Sequence, residues 1–302
     1  MKLVRTLAIG GVLGTVGYWL LRYLRPERST LVLNNAVVVI TGASAGIGRA
    51  YANAFARRGA RIVLAARRAE LLEEVRHEIA PYAADVLVVP TDVTDDDQIA
   101  RLLNTTVEKF GRIDVLISNA GLVEWGMLLN HEVEGIRKLV DTNLASTICL
   151  TRLALPMMLK QGGGYIVNVS SASGRYPSTA QPAYSPTKSG IVAFSDAMRR
   201  QLEGTGIHVM SVLPGFTDTE MVPSRLQDKL RELGITIFPA AYIAERTIDG
   251  LLKNQAELLL VDGTMRIGLW LERHFPLLSS ITQRFIFTPD FIAALEGIET
   301  PS

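Results

Sequence analysis

Cysteine is nearly absent from this chain, and histidine is sparse. The one cysteine, Cys149, lies in an apolar helical pattern, which excludes an internal disulfide and favours a packing role. The four histidines lie far apart without metal-ligand spacing, so the sequence predicts no metal site. An excess of charge of one sign is also lacking. The net charge of +1 argues against a nucleic-acid surface, and we expect no nucleic-acid partner.

Apolar residues, in contrast, are plentiful. Hydrophobic residues make up 48% of the 302 residues and charged residues 20%, which is typical of a globular protein with a sizeable core. The length allows one large α/β domain or two smaller ones. Neither an internal repeat nor a low-complexity linker interrupts the chain.

The amino-terminal segment 1–28 differs from the rest of the chain in its long uncharged run. Residues 6–21 carry no charge and lie between Arg5 and Arg22. The run is shorter than the ~20 residues that span a bilayer, but flanking arginines that snorkel outward extend it to spanning length. Interfacial aromatic residues and a GxxxG spacing occur in the same segment, namely Tyr18, Trp19, Tyr23, Gly10 and Gly14.

We interpret segment 1–28 as an uncleaved membrane anchor, against two alternatives. A cleaved signal peptide needs a small-x-small site after the apolar run, and residues 21–29 contain none. The second alternative is a helix that lies in a membrane interface or in the protein core. Three arginines follow the run and two basic residues precede it, which favours a main domain that faces the cytoplasm.

Strand and helix patterns alternate from residue 35 onward, which predicts an α/β fold with a doubly wound, mostly parallel Rossmann-type sheet covered by helices on both faces. We place this domain at 29–262 and a carboxyl-terminal extension at 263–302. The expected strands are 36–40, 61–65, 85–90, 113–118, 165–169, 207–213 and 256–261. The expected helices are 49–58, 133–161, 191–202 and 240–253.

Glycines mark the connection from the first strand to the first helix. Gly42, Gly46 and Gly48 are placed where missing side chains would let the backbone approach a pyrophosphate at a helix N-terminus. Their spacing is GxxxGxG and not the commoner GxGxxG. The alternative is a tight connection without a ligand.

The end of the second strand bears on the choice of dinucleotide. Ala66 stands where a chain that selects NAD(H) usually has a carboxylate for the ribose 2′-hydroxyl, and Arg67 and Arg68 follow it. Guanidinium groups suit a 2′-phosphate, so the sequence predicts NADP(H), with Arg67 as the stronger candidate. The alternative is that both arginines lie at a solvated helix start.

Polar residues follow three further strands. Asp92 either accepts a hydrogen bond from an adenine amino group or begins the next helix, for which Thr94 is the better N-cap. The small-residue turn 119–121 lies at a strand end where ligands bind in such sheets. Thr217 and Thr219 would bind a carboxamide or cap the chain that follows.

Tyr184 and Lys188 are four residues apart, so they share one face of a helix. An ammonium beside a phenol lowers the pKa of that phenol, which suits proton transfer. The alternative is that the two side chains only share a surface. Asn143 lies inside the predicted helix 133–161, where asparagine is a poor helix former, which favours a polar role.

Seven motifs together resemble the short-chain dehydrogenase/reductase family, over residues 35–261. They occur in the family's order and are TGASAGIG (41–48), Asp92-Val93, Asn119-Ala120-Gly121, Asn143, Ser171, Tyr184-x-x-x-Lys188 and Pro214-Gly215. The sequence departs from the family's pattern at Pro186, where a small residue is usual. At Ala45 some NADP-dependent members carry a basic residue, so NADP(H) selectivity here depends on Arg67 and Arg68.

The resemblance implies a role for each matching residue. Tyr184 would be the acid in reduction and the base in oxidation, and Ser171, thirteen residues earlier, would bind the substrate oxygen. Lys188 would bind the nicotinamide ribose and lower the pKa of Tyr184, and Asn143 would order a water. The implied cofactor-binding residues also include Gly42, Ser44, Gly46, Ile47, Gly48, Asp92, Val93, Asn119, Ala120, Gly121, Pro214, Gly215, Thr217 and Thr219.

The expected function is therefore NADPH-dependent reduction of a lipophilic ketone or aldehyde at a membrane, or the reverse alcohol oxidation. The substrate type stays open between 3-oxoacyl, steroid-like, sphingoid and retinoid compounds. We expect a homodimer or tetramer. The extension 263–302 would cover the substrate, form a dimer contact, lie in a membrane interface or pack onto the domain. The alternative function is a non-catalytic NADP(H)-binding sensor or scaffold.

Overall fold

The computed structural model describes residues 29–275, together with residues 288 and 292. The predicted anchor 1–28 and most of the chain beyond residue 275 lie outside the described residues. Among the residues that are described, none of the helices has both the length and the apolar character needed to cross a membrane.

Seven strands of the described chain form one sheet in which every neighbouring pair is parallel, which confirms the predicted parallel α/β fold. The strand order is β3-β2-β1-β4-β5-β6-β9. The strands are β1 (Val37–Thr41), β2 (Arg61–Ala66), β3 (Asp85–Pro90), β4 (Val115–Ser118), β5 (Gly164–Val169), β6 (Ile207–Pro214) and β9 (Glu257–Leu260). A separate short pair joins β7 (Thr217–Asp218) to β8 (Phe238–Pro239).

Helices connect these strands. They are α1 (Gly46–Ala56), α2 (Ala69–Ile79), α3 (Asp96–Phe110), α4 (Val133–Val140), α5 (Ser146–Lys160), α6 (Tyr184–Gln201), α7 (Ser224–Glu232), α8 (Ala240–Leu252) and α9 (Gly263–His274). Short 3-10 turns lie at Leu128–Asn130 and Ala172–Gly174, and a π turn at Asp141–Ala145 joins α4 to α5.

Both faces of the sheet are buried, because successive side chains of each strand point in opposite directions. In β1, Val38 and Ile40 belong to an apolar layer with residues of α1, α2 and α8. Val37 and Val39 belong to the opposite layer, with residues of α3, α5 and α6. This accounts for the unbroken apolar runs of the sequence, which a sheet with one solvated face would not need.

The strand order reverses between β1 and β4, since β2 and β3 lie on one side of β1 and β5, β6 and β9 lie beyond β4. A crevice forms at the carboxyl ends of the two strands at such a reversal, and ligands of open α/β sheets bind there. The fold therefore places the glycine turn after β1 and the turn 119–121 after β4 side by side.

The helix that follows β5 begins earlier than the sequence pattern predicts. The apolar pattern covers only residues 191–202, whereas α6 starts at Tyr184, so Tyr184 and Lys188 lie on one helix as their spacing predicted. Residues 184–190 contain Pro186 and Gly190 and show little apolar periodicity, so packing stabilises these first two turns more than intrinsic helix preference does. Pro186 is the third residue of α6, where no backbone N–H is needed for an intrahelical bond.

Two other predictions about helices need correction. The helix expected at 133–161 is interrupted by the π turn Asp141–Ala145, a wider turn that carries Asn143. The N-cap of α3 is Asp95 and not Thr94, because the Asp95 carboxylate accepts a hydrogen bond from the Gln98 N–H at 3.0 Å. Helix starts were considered after Arg68 and from Met221 onward, without bounds, and the structure has α2 and α7 there.

The described chain begins at the amino-terminal edge of the sheet. The Ser29 hydroxyl lies 2.8 Å from the Tyr165 hydroxyl oxygen, and the Thr30 N–H donates to that oxygen at 3.0 Å. Tyr165 is the second residue of β5, so residue 29 lies at the edge opposite to the crevice.

Candidate active site

The glycine turn after β1 has a backbone path that only glycine allows. Gly42 and Gly46 have positive φ angles of +66° and +53°. A Cβ atom on Gly48 would lie 2.1 Å from the carbonyl oxygen of Gly42, so the turn folds tightly onto α1. The free N–H groups of the α1 N-terminus consequently open into the crevice, which is the arrangement that binds phosphate groups.

Asn119 braces this turn against the end of β4. Its side-chain amide donates to the Thr41 carbonyl at 3.0 Å, and its own N–H donates to the Thr41 hydroxyl oxygen at 3.0 Å. The Ala120 N–H donates to the same hydroxyl oxygen at 3.1 Å. The two predicted elements therefore meet, and Asn119 holds them together in addition to lining the crevice.

Arg67 and Arg68 lie exposed at the end of β2. Arg68 donates to the Ser44 hydroxyl at 3.2 Å, which ties it to the glycine turn. Arg67 lies near Asp92, whose Oδ1 accepts from the Thr94 N–H and hydroxyl at 3.0 and 2.8 Å. Partial burial raises the pKa of Asp92, but the Thr94 hydrogen bonds and the Arg67 charge outweigh it and lower the pKa. The two arginines therefore have different neighbours. Arg68 hydrogen-bonds to the glycine turn through Ser44, and Arg67 lies near the Asp92 carboxylate.

Ser171, Tyr184 and Lys188 meet at the inner end of the crevice. Tyr184 is buried at the start of α6, and Ser171 hydrogen-bonds with its side chain. The Lys188 ammonium lies 5.6 Å from the centre of the Tyr184 ring and donates to the Val169 carbonyl at 3.1 Å. Ser170 points elsewhere, since its hydroxyl donates to the Lys188 carbonyl at 2.8 Å.

The pKa of Tyr184 differs from the sequence prediction. Burial raises the pKa of Tyr184 to about 12, although the Ser171 hydrogen bond acts to lower it. Burial also lowers the pKa of Lys188 to about 8, which weakens the positive charge expected to favour the phenolate. The predicted lowering of the Tyr184 pKa is therefore not found, and the phenol holds its proton near neutral pH.

Asn143 lies fully buried behind this group. Its side chain accepts from the Leu122 N–H at 2.7 Å and donates to the Leu122 carbonyl at 2.9 Å and the Thr187 hydroxyl at 3.1 Å. The π turn thus places one amide where it links the segment after β4 to the first turn of α6. Asn143 keeps the turn 119–121 in place beside Lys188.

The loop after β6 closes the crevice on the side of the glycine turn. A Cβ atom on Gly46 would lie 3.1 Å from the Thr219 side chain, so the two loops are in close contact. The Thr217 hydroxyl donates to the Gly215 carbonyl at 3.1 Å. Neither threonine caps α7, whose N-cap is Pro223. Both side chains line the crevice with Pro214 and Gly215.

These elements enclose a cavity of about 680 Å³. Of the predicted site residues, all but Gly48 and Asn143 line it, and those two lie directly behind the lining. Metal ligands are not part of the arrangement, since no group of three or more His, Cys, Asp or Glu in the described chain could hold an ion.

The sequence alone did not identify the individual residues of the apolar wall of the cavity. The larger members of this wall are Trp125, Tyr176, Phe216, Met221, Val222, Ile235, Met265 and Leu269. No motif marks them, because they come from five separate parts of the chain and are apolar residues like those of any core. Met221, Val222 and Ile235 lie between β7 and β8, and Met265 and Leu269 lie in the extension 263–302, for which a substrate cover was one of the expected roles.

The lining fits a nicotinamide dinucleotide on two structural grounds. A side chain on Gly48 would displace the turn, and one on Gly42 would lie 2.9 Å from the Ala120 Cα, so the turn keeps a side-chain-free surface beside a helix N-terminus. The cavity runs from this turn to Tyr184 and Ser171, so a pyrophosphate bound at one end would place the rest of the dinucleotide toward the phenol.

Comparison with known proteins identifies the family. The sequence profile described as short chain dehydrogenase matches residues 36–230. A 3-oxoacyl-(acyl-carrier-protein) reductase of Thermotoga maritima is 35% identical over 207 residues, which cover 68% of this chain and 84% of that protein. An uncharacterized oxidoreductase of Staphylococcus aureus (strain USA300) is 34% identical over 188 residues, which cover 62% and 80%.

A solved structure shows the same architecture. It is the crystal structure of a short-chain type dehydrogenase/reductase from Mycobacterium marinum, with a TM-score of 0.71 and 30% sequence identity, and the match covers 77% of this chain and 96% of that one. The fold, the crevice and the matching sequences agree. The chain belongs to the short-chain dehydrogenase/reductase family and is an oxidoreductase that acts on carbonyl or alcohol groups.

Proposed function

We propose that this chain is an NADPH-preferring reductase of a lipophilic ketone or aldehyde, which also catalyses the reverse oxidation. One observation carries the proposal. Tyr184 and Ser171 lie in a single cavity that runs from the Arg67–Arg68 pair to a wall of large apolar side chains. Along such a cavity, a phosphate-binding end, a proton donor and an apolar subsite would follow one another.

Tyr184 would deliver the proton. The bound nicotinamide would supply a hydride to the carbonyl carbon, and negative charge would then develop on the carbonyl oxygen. Ser171 would donate a hydrogen bond to that oxygen, and the Tyr184 hydroxyl would transfer its proton to it. Because burial raises the pKa of Tyr184 to about 12, the phenol is protonated at neutral pH, which suits reduction.

Lys188 and Asn143 would support this pair. The Lys188 ammonium donates to the Val169 carbonyl, and a Cβ atom on Gly121 would lie 3.5 Å from it, so its remaining N–H groups face the crevice. There they would hold ribose hydroxyls. Asn143 hydrogen-bonds to the Leu122 backbone and the Thr187 hydroxyl, and it would thereby fix the positions of Lys188 and Tyr184 relative to the segment after β4.

The preference for NADP(H) rests on charge at the end of β2. Ala66 offers no carboxylate to the ribose 2′-hydroxyl, and exposed guanidinium groups follow it. Arg67 would form hydrogen bonds with a 2′-phosphate, and Arg68 would shape the turn through Ser44.

The substrate class is supported from two directions. The apolar wall favours an uncharged, lipophilic group next to the carbonyl. The name of the Thermotoga maritima relative, a 3-oxoacyl-(acyl-carrier-protein) reductase, makes a 3-oxoacyl thioester one of the compounds to test. Steroid-like, sphingoid and retinoid carbonyl compounds are the others.

Segment 1–28 would anchor the chain to a membrane, with the catalytic domain on the cytoplasmic side. Residue 29 lies at the amino-terminal edge of the sheet and the cavity at the carboxyl-terminal edge. The cavity would then face away from the point of attachment. We also propose a homodimer or tetramer, which light scattering of the purified chain measures.

Tyr184→Phe should reduce kcat by a factor of about 10² to 10⁴, because the proton donor is removed while the ring still fills its place. NADPH affinity, measured by fluorescence titration, should change less than about threefold. Tyr82→Phe, at an exposed tyrosine, is the matched control. Unchanged turnover would exclude Tyr184 as the proton donor, and wild-type protein that binds NADPH but reduces no carbonyl compound would favour the sensor alternative.

Lys188→Met should change the pH dependence of folding stability. The unfolded lysine keeps its proton up to its ordinary pKa, whereas the folded one loses it above about 8, so the wild-type free energy of unfolding should rise between about pH 8 and pH 10. The rise would be on the order of 3 kcal/mol. The Met variant should lack it, and Lys160→Met, at an exposed position, should retain it. Chemical unfolding of the full chain measures this, and parallel wild-type and Lys188→Met profiles would contradict it.

Arg67→Ala should raise the KM for NADPH by about tenfold or more and the KM for NADH by less than about twofold, because only NADPH carries the 2′-phosphate. Arg68→Ala should affect both cofactors, since it loosens Ser44 in the turn that both would share. Arg76→Ala, on the exposed face of α2, is the control. An equal change in KM for NADPH and NADH in Arg67→Ala would exclude Arg67 as the residue that binds the 2′-phosphate.

Deletion of residues 1–28 should release the protein from membranes, because the uncharged run 6–21 is removed. Fractionation of cells that express the full chain and the truncated chain measures this. A truncated chain that stays in the membrane fraction would move the attachment to another segment.

A further inference from the structure

Trp125 connects three loops around the outer part of the cavity. It lies in the segment after β4, and its indole N–H donates to the Met221 carbonyl in the loop between β7 and α7 at 3.0 Å. The next residue, Gly126, donates its N–H to the Ala180 carbonyl in the loop before α6 at 2.9 Å. Trp125 and Gly126 thus connect the loop that carries Met221 to the loop that carries Ala180.

The indole is also part of an apolar cluster. Trp125 packs with other partly buried residues against the buried side chains of Ala180, Leu226 and Leu230. Leu226 and Leu230 are fully buried on one face of α7, so they give the cluster a closely packed base. The cluster also contains Phe216, Val222, Ile235, Ile237 and Ile292. Trp125 therefore presents one side to the cavity and the other to packed apolar side chains.

Few charged side chains line the cavity. Among the described residues that line the cavity, Arg67, Arg68 and Asp92 lie at the phosphate end and Lys188 lies beneath Tyr184. Glu220 is the remaining charged side chain of the lining, and it is exposed to solvent. A group that rests against Trp125 would meet apolar carbon, so burial there favours an uncharged group.

We infer that Trp125 is a specificity-determining residue, whose indole forms the wall against which the apolar part of a ketone or aldehyde packs and whose N–H keeps the three loops closed around it. The inference rests on the proposed reductase function. A long alkyl or ring substituent would reach this wall, and a short one would not. The side chain would thus contribute to the affinity for large substrates and leave small ones unaffected.

The test compares two methyl ketones, 2-nonanone and 2-butanone, with NADPH as reductant. Trp125→Ala should lower the kcat/KM ratio of 2-nonanone to 2-butanone by about tenfold or more, because an apolar surface contact is lost. Trp125→Phe should lower it less, since it keeps a ring but loses the donor to Met221. Trp270→Ala, at an exposed tryptophan of α9 outside the cavity wall, should leave the ratio within about twofold of wild type.

Binding measurements separate this inference from the reductase proposal. In a Tyr184→Phe background, calorimetry with 2-nonanone should show tighter binding to the protein that retains Trp125 than to the protein that also carries W125A. Weaker binding in W125A, with no ketone reduction by wild type, would support the subsite and overturn the reductase proposal. Reduction of both ketones with an unchanged ratio in W125A would overturn the subsite. If W125A does not fold, as judged by circular dichroism, Trp125→Leu decides by the same ratio.

Discussion

The close approach of two turns, one after β1 and one after β4, is the constraint on which the rest of the site depends. The Thr41 hydroxyl accepts the N–H groups of Asn119 and Ala120, and the Asn119 amide reaches back to the Thr41 carbonyl. The two turns can approach this closely because Gly42 and Gly48 have no side chains, and a Cβ atom on either would occupy the same space. This contact directs the α1 N-terminus into the crevice at the reversal of strand order. A phosphate-binding surface follows from this geometry without any cationic side chain.

Burial sets the chemistry at the other end of the cavity. Tyr184 and Lys188 lie in the first two turns of α6, packed between β5 and the segment after β4, and water is largely excluded from both. Loss of water penalises the charged form of each group, so the pKa of the phenol rises and that of the ammonium falls. Burial therefore favours the neutral form of both groups, whereas the spacing of Tyr184 and Lys188 in the sequence predicted a phenolate beside an ammonium. In the proposed reduction, a buried phenol that keeps its proton would donate it to the developing oxyanion.

The two halves of the cavity differ in how their residues are related along the chain. On the cofactor side, short motifs at strand ends supply adjacent residues, as in the turns 42–48 and 119–121. On the side proposed to bind the substrate, Trp125, Met221 and Ala180 come from three loops and meet through backbone carbonyls and an apolar cluster. Contacts of this kind tolerate many apolar side chains.

The sequence by itself determined the alternation of strands and helices, the glycine turn and the pairing of Tyr184 with Lys188, because each depends on local backbone geometry, and the family resemblance added Ser171. Only the tertiary structure decided that a π turn carries Asn143 and that Asp95 caps α3. It also decided the pKa of Tyr184, which depends on desolvation by residues far away along the chain. The apolar wall around Trp125 was decided there too, since apolar residues show no pattern that separates a ligand wall from a core.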